Sequence, residues 1–160
     1  MLRALPFLAE VHLAIAGDGE LRQILVQKAL ALGVQDRIHF LGEVAPTDIP
    51  DFLRAGDLFA FPSRWEGFGV AVVEAMHAGL PVIASDIPAL REVVRGADGE
   101  FAGLLVPPDD SPAWSGAIQR LLRDSSLRKA LSLRAQRRAA LFDLGRMVDG
   151  YEDCLNGTSR

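Results

Sequence analysis

The sequence holds one cysteine, Cys154, in 160 residues. That excludes an internal disulfide and fits a reducing, cytoplasmic compartment. No apolar run approaches the ~20 uninterrupted residues that a membrane span needs. The longest, 68–84, is broken by Glu74, His77, Gly79 and Pro81. The amino terminus lacks a basic stretch leading into an apolar core, so no secretory signal is expected. Positive charge is in deficit too: 17 lysines and arginines face 21 acidic residues, for a net charge of −4. Such a chain has no general field to attract nucleic acid, and none is expected as a partner. No histidine–cysteine cluster has metal-ligand spacing, and no D-x-D sequence offers a metal–diphosphate site.

What is present suffices for one domain spanning 1–160. With 49% hydrophobic and 24% charged residues, the chain has the composition of an ordinary globular protein with a proper core. Short apolar runs alternate with longer helical patterns. The runs 12–16 (HLAIA), 38–41 (IHFL), 57–61 (DLFAF), 82–84 (VIA) and 103–106 (GLLV) read as strands, bounded by Gly, Pro, Ser or Asp. Between them, 20–32, 47–55, 70–78 and 89–94 read as helices. Ser111 is placed to cap the next helix, with Pro112 at its first position. From about 112 to 156 the pattern is a helical tail, with a break near 142–145. The alternation predicts an α/β fold, an open doubly wound parallel sheet of Rossmann-like type. Ligands of such sheets bind at the carboxyl ends of the strands, where the strand order reverses. The loops 17–20, 42–44, 62–69, 85–86 and 107–108 fall there.

The stretch 64–85, RWEGFGVAVVEAMHAGLPVIAS, starts in one of those loops. Glu66 and Glu74 stand eight apart in an apolar, glycine-marked run. Burying an unpaired carboxylate is costly, so the pair calls for a ligand. The loop 62–69 feeds a helix N-terminus, whose free amides and dipole favour a phosphate. Gly67 and Gly69 have no side chain to block its close approach. Glu74 shares a helix face with Val70, Ala71, His77 and Ala78, and can accept two hydrogen bonds from a vicinal diol such as a ribose. Glu66, ahead of the helix, falls on the far side of the phosphates. Together they describe a site for sugar, diphosphate and nucleoside, with a carboxylate at each polyol. A plainer account pairs Glu74 with His77 at i,i+3 and leaves Glu66 solvated. It suits either glutamate alone but explains neither both glycines nor the apolar flanks.

The run EGFGVAVVE, followed by AMHAGLPVIASD, resembles the E-x7-E signature of GT-B retaining glycosyltransferases of the family 4 type, the glycosyl transferases group 1. AGDGELR, RIHFLGEV, AGDLFAFPS, GLLVPPDD and a helical tail with Tyr151 keep the same order, so the resemblance covers nearly the whole chain. It implies an enzyme of two Rossmann-like domains with the active site between them, this chain corresponding to the C-terminal, nucleotide-sugar-binding one. The implied reaction moves a hexose-type sugar from a nucleoside diphosphate sugar to a lipid or saccharide acceptor, with no metal and no cofactor.

Carried over by position, Glu74 resembles the family's ribose-binding glutamate. Glu66 resembles the residue that meets hydroxyls of the donor sugar, and is the one catalytic assignment. Gly67, Phe68 and Gly69 correspond to backbone contacts around the sugar and diphosphate, and Val70 to the residue against the nucleoside. Val44 resembles the residue whose backbone meets the base, and Gly17 and Gly19 the glycine turn at the cleft edge. The family's diphosphate-binding Arg and Lys have no counterpart here. The run 1–6 resembles the end of the domain's first helix, so the first strand, both cations and the acceptor domain are expected upstream of residue 1. On that reading the chain alone is inactive. The alternative is a non-catalytic nucleotide-sugar-binding module, or one subunit of a split enzyme.

Other features carry less. AGDGELR resembles part of a dinucleotide fingerprint, but Arg22 takes the place of the third glycine, and no acidic residue ends the next strand at the right spacing. His12 and His39 are expected as core or strand-edge residues. Trp65 either lines the sugar pocket or packs the loop. Arg120, Arg123, Arg128, Lys129, Arg134, Arg137 and Arg138 form a basic stretch opposed only by Asp124. Such a helix can lie on anionic lipid, which makes peripheral membrane contact one reading. The stretch lacks a clean aromatic apolar side, which favours a solvated face.

Overall fold

The structure, a computed structural model, describes residues 1–96 and 99–142. Five strands form where the apolar runs stand: β1 (Leu13–Ala16), β2 (Ile38–Gly42), β3 (Phe59–Phe61), β4 (Val82–Ser85) and β5 (Gly103–Val106). The helices are α1 (Arg22–Ala31), α2 (Ile49–Arg54), α3 (Val70–His77), α4 (Pro88–Val94), α5 (Ser111–Arg123) and α6 (Ser125–Ala139). Tight 3-10 turns occupy Leu2–Phe7, Gln35–Arg37 and Ala140–Phe142.

Every strand pair is parallel, as the interposed helices require. β4 lies between β3 and β5, and all four of its residues are buried. Val82 and Ala84 face one core with α3, α4 and α6. Ile83 faces the other, with Trp114, Ile118 and Leu121 of α5. This is the two-sided burial of a Rossmann-like α/β sheet, and that class stands. The sheet is divided, however. β1 pairs with β2 and β3 with β4, and no ladder joins β1 to β3 among the described residues.

The first turn spans the division. Its Leu2 and Leu5 pack with β1 and β2, while Ala4, and Leu8 just after it, pack with β4, β5 and α5. Arg37, directly ahead of β2, holds this turn by donating to the carbonyls of Leu5 (3.1 Å), Val11 (3.3 Å) and Leu8.

Two expectations change and a third is narrowed. Asp110 rather than Ser111 caps α5, its carboxylate accepting from the Ala113 amide at 2.9 Å. The tail divides at Asp124, whose carboxylate accepts from the Leu127 amide at 2.8 Å and starts a second helix. Aspartate competes for backbone donors in this way and favours caps over helix interiors. Residues 143–160, with Tyr151 and Cys154, lie outside the described residues. Of core and strand edge, the two places expected for His12 and His39, the core is excluded, since both are exposed. Leu13, Ile15, Ile38 and Phe40 turn toward α1 and the first turn, so the alternating His12 and His39 come out on the other, exposed face. There they stack, with His12 Nδ1 3.0 Å from His39 Nε2.

Candidate functional site

α3 is built from VAVVEAMH, rich in β-branched residues that favour strands in isolation. Burial overrides that preference. Val72, Val73, Ala75 and Met76 are buried, with α6 laid alongside so that Ser132 Oγ donates to the Gly79 carbonyl at 2.6 Å. At 100° per residue, Val70, Glu74 and His77 then share the opposite face, and all three are exposed.

The entry to α3 is shaped by Gly69, which is buried and has φ +96°, a left-handed value that favours glycine. A Cβ there would lie 2.5 Å from Leu90 Cδ2 of α4. The Gly69 carbonyl takes the Val72 amide at 2.9 Å and the Val73 amide at 3.3 Å, which starts the helix. The amides of Val70 and Ala71 have no helical acceptor and remain free for an anion.

Glu66 is half-buried and Glu74 exposed, and neither has a hydrogen bond or ion pair among the described residues. Contrary to expectation, neither carboxylate is fully buried: the helix phase turns Glu74 away from the core, and Glu66 is only half-buried. Nor does Glu74 pair with His77. Trp65 is 82% exposed, so it does not pack the loop. Phe68 and Val70 are 42% and 62% exposed, an apolar rim beside the two carboxylates.

Gly17, Gly19 and Val44 fall at the carboxyl ends of β1 and β2. Gly17, at φ +107°, donates to the Gly42 carbonyl at 2.7 Å and so ties these two ends together. The Gly19 amide donates to the Asp18 carboxylate at 2.7 Å, and Val44 is half-buried. No hydrogen bond joins this group to 66–74 among the described residues; topology alone sets both at strand ends. Arg22, which breaks the dinucleotide fingerprint, lies over the Phe40 ring at 5.8 Å.

Two features had no sequence signal, because their partners are far apart in the chain. Arg64 donates to Asp109 Oδ1 from Nε at 3.1 Å and from Nη2 at 2.7 Å, joining the loop 62–69 to the turn after β5. At the end of β4, Asp86 receives the Arg91 guanidinium on both carboxylate oxygens, Nη2 to Oδ2 at 2.9 Å. That hydrogen bonding holds the Asp86 carboxyl below its ordinary value, against an opposing effect of burial.

The surface around Glu66 and Glu74 is open. A cleft of about 410 Å³ lies elsewhere, between Arg91, Arg95 and Arg138 toward the carboxyl end of α4. The basic stretch is partly engaged. Arg128 donates to the Leu121 carbonyl at 3.2 Å, Arg134 pairs with Glu100 at 2.7 Å, and Arg138 donates to the carbonyls of Val93 and Glu92 at 3.0 and 2.8 Å. No helix among the described residues is long and apolar enough to cross a membrane.

HepE of Anabaena, solved in complex with UDP-glucose, superposes with a TM-score of 0.87 at 30% identity, over 98% of this chain and 44% of that one. The C-terminal domain of LpcC, a glycosyl transferase group 1 family protein from Francisella tularensis, gives 0.73 at 26% identity, over 87% and 75%. The fold is thus that of a Rossmann-like domain of the GT-B glycosyltransferase type. More narrowly, the chain belongs to the glycosyl transferases group 1 family, whose model matches residues 1–138. Among curated relatives, D-inositol 3-phosphate glycosyltransferase of Salinispora tropica is 40% identical over 129 residues, covering 81% of this chain. Phosphatidyl-myo-inositol mannosyltransferase of Mycobacterium leprae is 42% identical over 134 residues, again 81% of this chain. This chain spans only 26% and 34% of the length of those two relatives.

Proposed function

We propose that this chain is the C-terminal, donor-binding domain of a family 4 retaining glycosyltransferase that takes a hexose-type sugar from a nucleoside diphosphate sugar. The observation that carries the reading is the face Val70–Glu74–His77, exposed directly beyond a buried left-handed glycine that opens a helix N-terminus. An unpaired carboxylate beside free amides suits a ribose next to a diphosphate. Glu74 holds the ribose hydroxyls, and Glu66 the hydroxyls of the departing sugar. Gly67, Phe68 and Gly69 bring backbone against the sugar and diphosphate, and Val70 lies against the nucleoside. Val44 meets the base, with Gly17 and Gly19 at the cleft edge. The likeness to HepE, solved with UDP and with UDP-glucose, supports a nucleotide-sugar donor.

In this reading negative charge grows on the leaving diphosphate as the glycosidic bond breaks. The amides at the start of α3 stabilise that charge where it develops. The open Glu66–Glu74 surface is one wall of a cleft, and an acceptor domain from outside the chain supplies the other, orients the acceptor and excludes water. A strand from outside the chain also pairs with both β1 and β3. The matched relatives carry names that include an inositol phosphate and a phosphatidylinositol. In this reading acceptor choice, lipid or saccharide, belongs to the other domain, and membrane contact through the basic stretch of α5 and α6 would accompany a lipid acceptor. The reading calls for no metal and no cofactor, and for a cytoplasmic enzyme.

Calorimetry of the chain against UDP-, GDP- and ADP-sugars tests the proposal, with binding of one class expected. Failure of all three to bind at millimolar concentration would overturn it. A radiolabelled-donor assay should show no transfer by residues 1–160 alone. Turnover at about 1 s⁻¹ or faster, the ordinary enzyme range, would show that no acceptor domain is needed.

A further inference from the structure

The loop 62–69 carries Glu66 and leads into α3. Within it, Ser63 Oγ donates to the Trp65 carbonyl at 2.9 Å. Its other anchors come from distant parts of the chain. Ahead of Glu66, Arg64 grips Asp109 Oδ1 with two guanidinium nitrogens, at 3.1 and 2.7 Å. Behind it, Phe68 meets Phe142 edge-on, with ring centres 5.5 Å apart and planes at 79°. The Phe142 ring is itself held. Arg138 lies over it at 4.6 Å while donating to the carbonyls of Val93 and Glu92, near the end of α4.

We infer that Asp109 and Phe142 are positioning residues for the donor loop, pinning it on both sides of Glu66 before the donor arrives. The inference rests on the reading of this loop as the contact for the donor's sugar and diphosphate. Neither residue is a donor contact in that reading; each acts through its partner, Arg64 or Phe68. A loop that orders only on binding loses conformational entropy at that moment, which weakens the ligand. A loop ordered beforehand avoids most of that loss. The ion pair is exposed, with side chains 78% and 73% accessible, so its effect is modest and directional rather than large. The edge-on aromatic contact adds a second restraint of fixed geometry.

The ligand-free chain gives the first readout, through NMR order parameters of the amides 65–69. The wild type should lie in the rigid range, about 0.85, and Asp109→Ala and Phe142→Ala should fall below about 0.6. Calorimetry on the same proteins gives the second. UDP-glucose should bind about 2- to 5-fold more weakly to Asp109→Ala, with UDP affected less, since the pair stands on the Glu66 side. The exchanged pair Arg64→Asp with Asp109→Arg should restore both readouts, which it would not do if Arg64 itself touched the donor. Unchanged order parameters in Asp109→Ala overturn the inference, as does a loosened loop with undiminished donor affinity. A loop that loosens as described, in a chain that binds no nucleotide sugar, leaves the brace standing and removes the donor reading instead. Phe142→Ala counts only if the amide signals of buried β4 persist; the Asp109 arm decides the matter without it.

Discussion

Gly69 and Leu90 approach so closely that a methyl group on Gly69 would stand 2.5 Å from Leu90 Cδ2. Two independent constraints therefore meet at one residue, this contact and a φ of +96°. Together they fix how α3 starts, against α4, and hence where its free amides point.

Gly69→Ala should destabilise the chain by roughly 2–5 kcal/mol, combining left-handed strain of about 1–2 with overpacking of about 1–3. Leu90→Ala makes room for the methyl group, so the double variant should be less damaged than the sum of the two single ones. Urea unfolding of all four proteins measures this. Additivity within about 0.5 kcal/mol would show that Leu90 is not the obstacle.

Glu74→Ala should weaken nucleoside diphosphate binding by roughly 1–3 kcal/mol, the cost of losing charge-assisted hydrogen bonds. Glu66→Ala should leave the nucleotide's affinity nearly unchanged and weaken the sugar-bearing donor. Calorimetry with both ligands separates the two roles. Equal losses for nucleotide and nucleotide sugar in Glu66→Ala would end the assignment of Glu66 to the sugar.

Among the described residues no ladder joins β1 to β3, and unpaired strand edges are templates for aggregation. The chain should accordingly be marginally stable as a monomer. A version extended upstream by one strand and one helix should melt higher and scatter less light. An unextended monomer that melts as high as the extended one would show that no further strand is needed.

Asp86 makes part of the stability pH-dependent. Its carboxyl is held below the ordinary value by the Arg91 hydrogen bonds, so the folded state binds this proton less readily than the unfolded chain. The contribution is fully present above the unfolded chain's value, about 3.9, and is lost as pH falls through the lower folded value. Arg91→Gln should be less stable than the wild type at neutral pH, with the gap closing below about pH 4. Urea unfolding between neutral and strongly acidic pH reads this. A gap that stays constant down to the lowest pH would show that Asp86 ionisation contributes nothing.

Local pattern made much of this protein legible in its sequence. The runs 38–41, 82–84 and 103–106 are strands within one residue of where alternation and punctuation set them. Helix α3 begins at Val70, directly after the glycine that the sequence marks. These features follow from hydrophobic period and backbone freedom, which are properties of neighbouring residues. The placement of Glu66, Glu74 and their glycines on one loop and one helix was legible for the same reason.

The tertiary structure decided what depends on residues far apart in the chain. Glu74 is exposed because α6 takes the other face of α3, a contact between segments more than 50 residues apart. His12 and His39 face outward because one side of the β1–β2 pair is covered and the other is bare. Arg64 finds Asp109 across 45 residues, and Phe68 finds Phe142. The division of the sheet between β1 and β3 belongs here as well, because a ladder requires both strands side by side. A single residue type with its immediate neighbours encodes a turn, a cap or a helix face. Which faces become buried, and which charged groups meet, is set by packing that closes only when the whole domain folds.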